Sequence, residues 1–191
     1  MWMNALWDHD LAACQWGAVI GASLAAAACD LTSRRIPNLL TGPFFLAGLV
    51  WAPLAGGLAG LADGLAASIL LAAPFIFLFA FAGGGAGDAK LMGALGMWLG
   101  LRSGVAVLLA VVLSGLVLAV AFAVAKSWLR PALANVASIT RVFVYTAFGN
   151  RNLAETRSLM PDVKEMHTIP YGLAIFAGVC LAGGGIYVWG A

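Results

Sequence analysis

Six apolar runs, bounded by polar residues or by Pro and Gly at about 11–29, 39–60, 64–82, 89–101, 104–125 and 170–190, constrain this chain more than anything else in it. Most reach the roughly 20 residues that a helix needs to cross the ~30 Å hydrocarbon layer of a bilayer. Of the 191 residues 63% are hydrophobic and 9% charged, whereas soluble domains carry about 45–50% apolar and about 25% charged residues. One compact core cannot hide that much apolar surface, so most of it faces lipid or other spanning helices. The expected fold is all-α and polytopic: about six transmembrane helices forming a single membrane-embedded domain over 1–191. The fourth run is short, but Gly87, Asp88 and Lys90 at its start and Arg102 at its end place it at the two membrane faces if it tilts little.

Lys and Arg set the orientation, because positively charged loops stay in the cytoplasm. With the N-terminus outside, Arg34, Arg35, Lys90, Lys126, Arg130, Arg141, Arg151, Arg157 and Lys164 all fall inside and Arg102 alone falls outside. Asp8, Asp10 and Asp63 then lie outside, while Asp30, closing the first span, and Asp88, opening the fourth, both lie at the cytoplasmic face. The one long polar stretch, 127–169, is the expected cytoplasmic loop. Over 132–148, Leu133, Val136, Ile139, Val142 and Phe143 alternate with Asn135, Ser138 and Arg141 at the spacing of an amphipathic helix on the inner membrane surface. The remainder reads as a solvated connector, or as a platform for a substrate leader.

Several chemistries find no support. A net charge of +2 calls for no polyanionic partner, and no nucleic acid is expected. Cys14, Cys29 and Cys180 form no CxxC pair and have no histidine at ligand spacing, so neither a metal site nor a disulfide framework is indicated. Leu11-Ala12-Ala13-Cys14 has the form of a lipoprotein processing site, but lacks the basic residues and the apolar stretch that should precede it. The first run is therefore expected to be an uncleaved span. His9 and His167 fall on opposite sides of the membrane and cannot act together.

What remains is two carboxylates. Asp30 ends an apolar run and precedes Leu31-Thr32-Ser33-Arg34-Arg35-Ile36-Pro37-Asn38. Its ordinary explanation is a boundary residue, with Pro37 terminating the helix. Asp88 follows Gly83-Gly84-Gly85-Ala86-Gly87, a glycine-rich break whose backbone is free to unwind and to be approached closely. Non-helical backbone at membrane depth is tolerated only where it is buried in protein or lines a wet cavity. An N-cap aspartate at a hinge is the plainer reading, and the two are compatible. Acidic residues at the membrane edge, both on one face, are a functional hypothesis by default. Brought close, such a pair shares a proton: one member deprotonates a water while the other hydrogen-bonds the scissile carbonyl. Lys90 either steadies the anion, binds a lipid phosphate, or simply snorkels.

In these residues the sequence resembles the type IV prepilin peptidases, a family of membrane aspartic proteases. The first family motif is matched by Asp30, Ser33, Ile36, Pro37 and Asn38, and the second, Gly-x-Gly-Asp-x-Lys, by Gly85, Gly87, Asp88 and Lys90. Ile169-Pro170-Tyr171-Gly172 looks like the start of the family's closing helix. The resemblance implies Asp30 and Asp88 as the catalytic dyad, with Gly85, Gly87, Lys90, Ile36, Pro37 and Asn38 supporting the site or binding substrate. It also implies no cofactor, a bacterial inner-membrane location, and cleavage of a prepilin leader at the cytoplasmic face, alongside a pilus assembly machinery. Without paired CxxC motifs the chain is similar to the short Tad/Flp-pilus class, for which methylation of the new N-terminus is not expected.

Two other classes fit some of these features. A small ion-coupled transporter could use Asp30 and Asp88 as cation ligands beside a broken helix, but such sites sit near mid-membrane rather than at one face. A catalytically silent scaffold is expected to have lost one aspartate, and both are present.

Overall fold

In the computed structural model, which describes residues 2–82, 85–125 and 171–189, the chain is organised as four stretches of helix: α1 (Trp2–Ser33), α2 (Asn38–Ala82), α3 (Ala86–Ala125) and α4 (Tyr171–Trp189). Three of them are long and apolar enough to cross a membrane, over Leu11–Ser33, Asn38–Ala80 and Ala86–Phe122, and α4 carries a shorter apolar helix, Tyr171–Gly185. The loop 127–169, with its expected amphipathic segment, lies outside the described residues, as do Gly83 and Gly84 of the glycine-rich break.

A straight helix of the length of α2, 45 residues, would be about 68 Å long, more than twice the hydrocarbon thickness. It is not straight. Gly56 (φ −138°, ψ 15°) and Gly57 (φ 62°, ψ −153°) are non-helical, and the second of these conformations is open essentially to glycine alone. Beyond them the chain turns back: a Cβ on Gly60 would lie 2.5 Å from the Ala52 carbonyl oxygen, although residues eight apart on a straight helix are about 12 Å apart. Two antiparallel limbs result, 38–55 and 58–82.

The same device divides α3 at Gly100 (φ 68°, ψ −179°). Before the break, Gly93 packs on Ser68 and Ala72, Gly96 on Ala67, and Met97 lies against Gly64, so the contacts descend along α2. After it, Gly104 meets Leu71 and Ala67 again, so the direction has reversed. The limbs are 86–99 and 101–125. Asp63, expected as an outer-loop carboxylate, lies within the second limb of α2, and its Oδ2 accepts the Leu101 N–H at 3.1 Å. It thereby caps the restarted helix from a neighbouring limb, satisfying one of the N–H groups that a helix start leaves unpaired. The expected run boundaries, 60/64 and 101/104, miss these turns by a few residues because both turns fall on glycines inside apolar sequence.

The limb 101–125 is met by α4, whose Gly178 is so close that a Cβ there would be 2.5 Å from Val111 backbone atoms. At its two ends α4 also touches α1, with Gly172 at Ala27 and Asp30 and Gly183 at Trp16. Leu71, Leu91, Met92, Leu95, Val107, Val111, Ile175 and Val179 fill the centre. On the outside stand Leu39, Leu54 and Leu58, exposed by 86%, 78% and 84%, while Asp30 is only 8% exposed. Apolar side chains outward and a carboxylate inward is the reverse of a water-soluble domain, and it is the arrangement that lipid as solvent favours. Far from Asp30 along α1, Gln15 Nε2 donates to the Trp98 carbonyl; Trp98 stacks on Phe44 and Trp51 and donates from Nε1 to the Phe44 carbonyl at 2.9 Å. These contacts hold limb 38–55 parallel to limb 86–99.

Candidate active site

Asp30 lies in the last turn of α1, and local bonds end the helix just beyond it. The Thr32 hydroxyl donates to the Ala28 and Cys29 carbonyls, and Ser33 Oγ to Cys29 at 2.8 Å and Arg35 at 3.2 Å. Arg34 then takes a left-handed conformation (φ 51°), its N–H closing on the Asp30 carbonyl at 2.9 Å, a geometry common where helices stop. The helix has therefore ended before Pro37 is reached. Pro37 instead opens α2: its carbonyl accepts the N–H groups of Leu40 at 3.0 Å and Thr41 at 3.3 Å, while its ring holds Ile36 out of helical geometry.

Asp88 is the third residue of α3, within the first turn rather than at its cap. The residue before the helix is Gly85, whose carbonyl accepts the Asp88 N–H at 3.2 Å. A Cβ at Gly85 would lie 2.7 Å from Asp88 Oδ2, so only glycine leaves that carboxylate where it is.

The two motifs meet through their supporting residues. Ile36 lies directly on Gly87, where a Cβ would be 2.9 Å from Ile36 Cβ and 3.4 Å from its N and O. About one turn further along α3, Lys90 Nζ donates to Asn38 Oδ1 at 2.8 Å, tying the start of α2 to that of α3. Lys90 thus bridges two helices instead of merely snorkelling. As a result the connection that follows α1 and the start of α3 come together. All eight residues singled out in the sequence, Asp30, Ile36, Pro37, Asn38, Gly85, Gly87, Asp88 and Lys90, belong to this one junction. Among the described residues no three His, Cys, Asp or Glu side chains group as a metal site.

One partner was not read from the sequence. The Gly172 N–H donates to Asp30 Oδ2 at 2.8 Å in a buried bond spanning 142 residues of chain. Next to it Tyr171 sets its ring edge-on to Phe75, with centroids 5.7 Å apart. The sequence signal was the Tyr171-Gly172 pair at the start of the last apolar run, but a main-chain donor has no side-chain signature. At the Lys90–Asn38 bond a cavity of about 630 Å³ opens between the two limbs of α2 and the start of α3, with Phe45, Ala72, Ile76, Phe79, Ala89 and Gly93 among its lining.

Comparison with curated proteins and with solved structures gave no significant match. Comparison with protein families matches residues 18–120 to the type IV leader peptidase family. That interval is more than half of the chain and contains α1 from its middle onward, all of α2 and both aspartate turns, leaving α4 outside it. The helical, membrane-compatible architecture and the junction of the two aspartate-bearing turns agree with the matched interval, and the chain belongs to the type IV leader peptidase family.

Proposed function

We propose that the protein removes the short basic leader of a Flp-like type IV prepilin at the cytoplasmic face of the bacterial inner membrane, with Asp30 and Asp88 as an aspartic dyad. The observation that supports the reading is that the turns bearing two carboxylates 58 positions apart in the chain meet directly, with Ile36 seated on Gly87 and Lys90 bonded to Asn38. Carboxylates brought close in this way share a proton. The ionised member takes a proton from a water, whose oxygen attacks the scissile carbonyl carbon. The protonated member donates a hydrogen bond to the carbonyl oxygen as charge develops there. Collapse of the tetrahedral intermediate breaks the C–N bond, and the amine leaves with a proton returned by the dyad. Gly85 and Gly87 leave main chain bare beside the reacting atoms, and the Lys90–Asn38 and Ile36–Gly87 contacts hold the two turns together.

In the same reading the limbs of α2 and α3, with α1 and α4, make six crossings of one membrane-embedded domain. The N-terminus lies outside, and both aspartates and the 127–169 loop lie inside, as the basic residues favour. The partners are the prepilin, the bilayer and the pilus machinery that receives the product.

The test is leader removal in membranes containing this protein and a candidate prepilin, followed by gel shift, with Asp30→Asn and Asp88→Asn assayed separately. Loss of a group acting in general acid–base catalysis lowers rates by about 10²–10⁴-fold. Each variant is expected to insert normally and lose cleavage on that scale; wild-type processing by either one refutes the dyad. A proton- or sodium-dependent flux in vesicles without proteolysis would instead establish an ion-coupled carrier.

A further inference from the structure

We infer that the first turn of α4 is a third component of the reaction centre, in which the Gly172 main-chain N–H is the positioning group that fixes the Asp30 carboxylate. This rests on the dyad reading and adds a role to a helix outside the residues that match the family. The bond is 2.8 Å long and buried, and Asp30 itself is buried. Its carboxylate could rotate about χ1 and χ2, but one oxygen is held by a donor whose own place is set by backbone. The N–H groups of a helix's first turn have no partner within the helix, so this donor is available without breaking α4.

The surroundings lock the donor in place. A Cβ at Gly172 would be 2.9 Å from Asp30 Cβ, 3.1 Å from Oδ2 and 3.3 Å from Ala27 Cα, so the approach is at the limit of contact. One residue earlier, Tyr171 anchors the turn: its ring packs on Phe75 and its hydroxyl occupies the space that a Cβ at Gly115 would need. The second limb of α2 and the second limb of α3 therefore set the height of Tyr171, and with it the height of the N–H that Asp30 accepts. Asp88 is held differently, by the geometry of its own helix start at Gly85. The dyad thus has one member positioned locally and one positioned from the far end of the chain.

The experiment replaces Gly172 by glycolic acid through nonsense suppression, which turns the 171–172 amide into an ester and deletes the N–H without adding bulk. Gly172→Ala, which keeps the N–H but crowds Asp30, and Gly178→Ala, which crowds Val111 two turns away from the site, accompany it. A misplacement of about 1 Å can cost on the order of 10²-fold in rate. The ester protein is expected to insert as wild type, keep its KM and lose at least about tenfold in kcat. The infrared carboxylate band that Asp30→Asn abolishes should shift in the ester protein, a readout that needs no turnover. An unmoved band, or a shifted band with wild-type kcat, overturns the proposal. So does a Gly172→Ala variant whose activity falls only in proportion to its folded fraction, as expected for Gly178→Ala. Failure of the dyad reading itself is distinguishable, since it shows as cleavage persisting in Asp30→Asn whatever the ester does.

Discussion

Gly87→Ala adds one methyl group at the place where the two aspartate motifs touch. The new Cβ would stand 2.9 Å from Ile36 Cβ and 3.4 Å from the Ile36 N and O, whereas carbon atoms in good contact lie about 3.5–4.0 Å apart. Either the 34–37 connection or the first turn of α3 must therefore move by roughly 0.6–1.1 Å, by difference from that contact range. Overpacking of this kind costs about 1–3 kcal/mol in stability, and a shift near 1 Å between reacting groups costs on the order of 10²-fold in rate. The expected outcome is an inserted protein with a modestly lowered melting temperature and leader cleavage reduced about 100-fold at saturating prepilin. The colliding atom is the Cβ of Ile36 itself, so Ile36→Ala in the same protein gives no relief, while Ile36→Gly restores part of the rate. Cleavage by Gly87→Ala at the wild-type rate, or rescue by Ile36→Ala equal to that by Ile36→Gly, would show that this contact does not set the distance between the turns.

Gly100→Ala places a Cβ against the Asp63 carboxylate and forces alanine into φ 68°, ψ −179°; backbone strain of that kind costs about 1–3 kcal/mol, and thermal unfolding in detergent should show it, with Asp63→Ala relieving the collision but not the strain. Asp63→Ala alone removes a cap and is expected to lower stability by about 1 kcal/mol while leaving kcat unchanged. Lys90→Met and Asn38→Ala each remove one partner of a single hydrogen bond, so a double-mutant cycle on melting should show a coupling of about 0.5–1.5 kcal/mol, and additive effects would contradict the bond. Leu71→Ala empties a fully buried site and is expected to cost about 2–5 kcal/mol, whereas Leu39→Ala, at a position exposed by 86%, changes melting little; equal losses would mean that the packed interior has been misidentified.

Much of this architecture is written in the amino-acid order. Apolar runs long enough to span a bilayer state the solvent, because the transfer of so many apolar side chains into lipid outweighs any alternative. Asp30 and Asp88 stand out for the complementary reason, since a carboxylate at the edge of such a run is retained against a cost. Local endings were legible only in part. Pro37 marks the connection between α1 and α2, yet Arg34 ends the first helix and Pro37 begins the second, because a proline at a helix start lacks only an N–H that would have no partner there anyway.

The turns and the meeting of distant groups belong to the tertiary structure. Hydropathy measures transfer into lipid and not backbone conformation, so the run boundaries at 60/64 and 101/104 mark the reversals at Gly57 and Gly100 only to within a few residues. Asp63 looks like a loop charge until the limb it caps is seen beside it. Most of all, the group that holds Asp30 is a peptide N–H from residue 172. Every residue but proline owns such a donor, so only the packing of α4 against α1 could select this one.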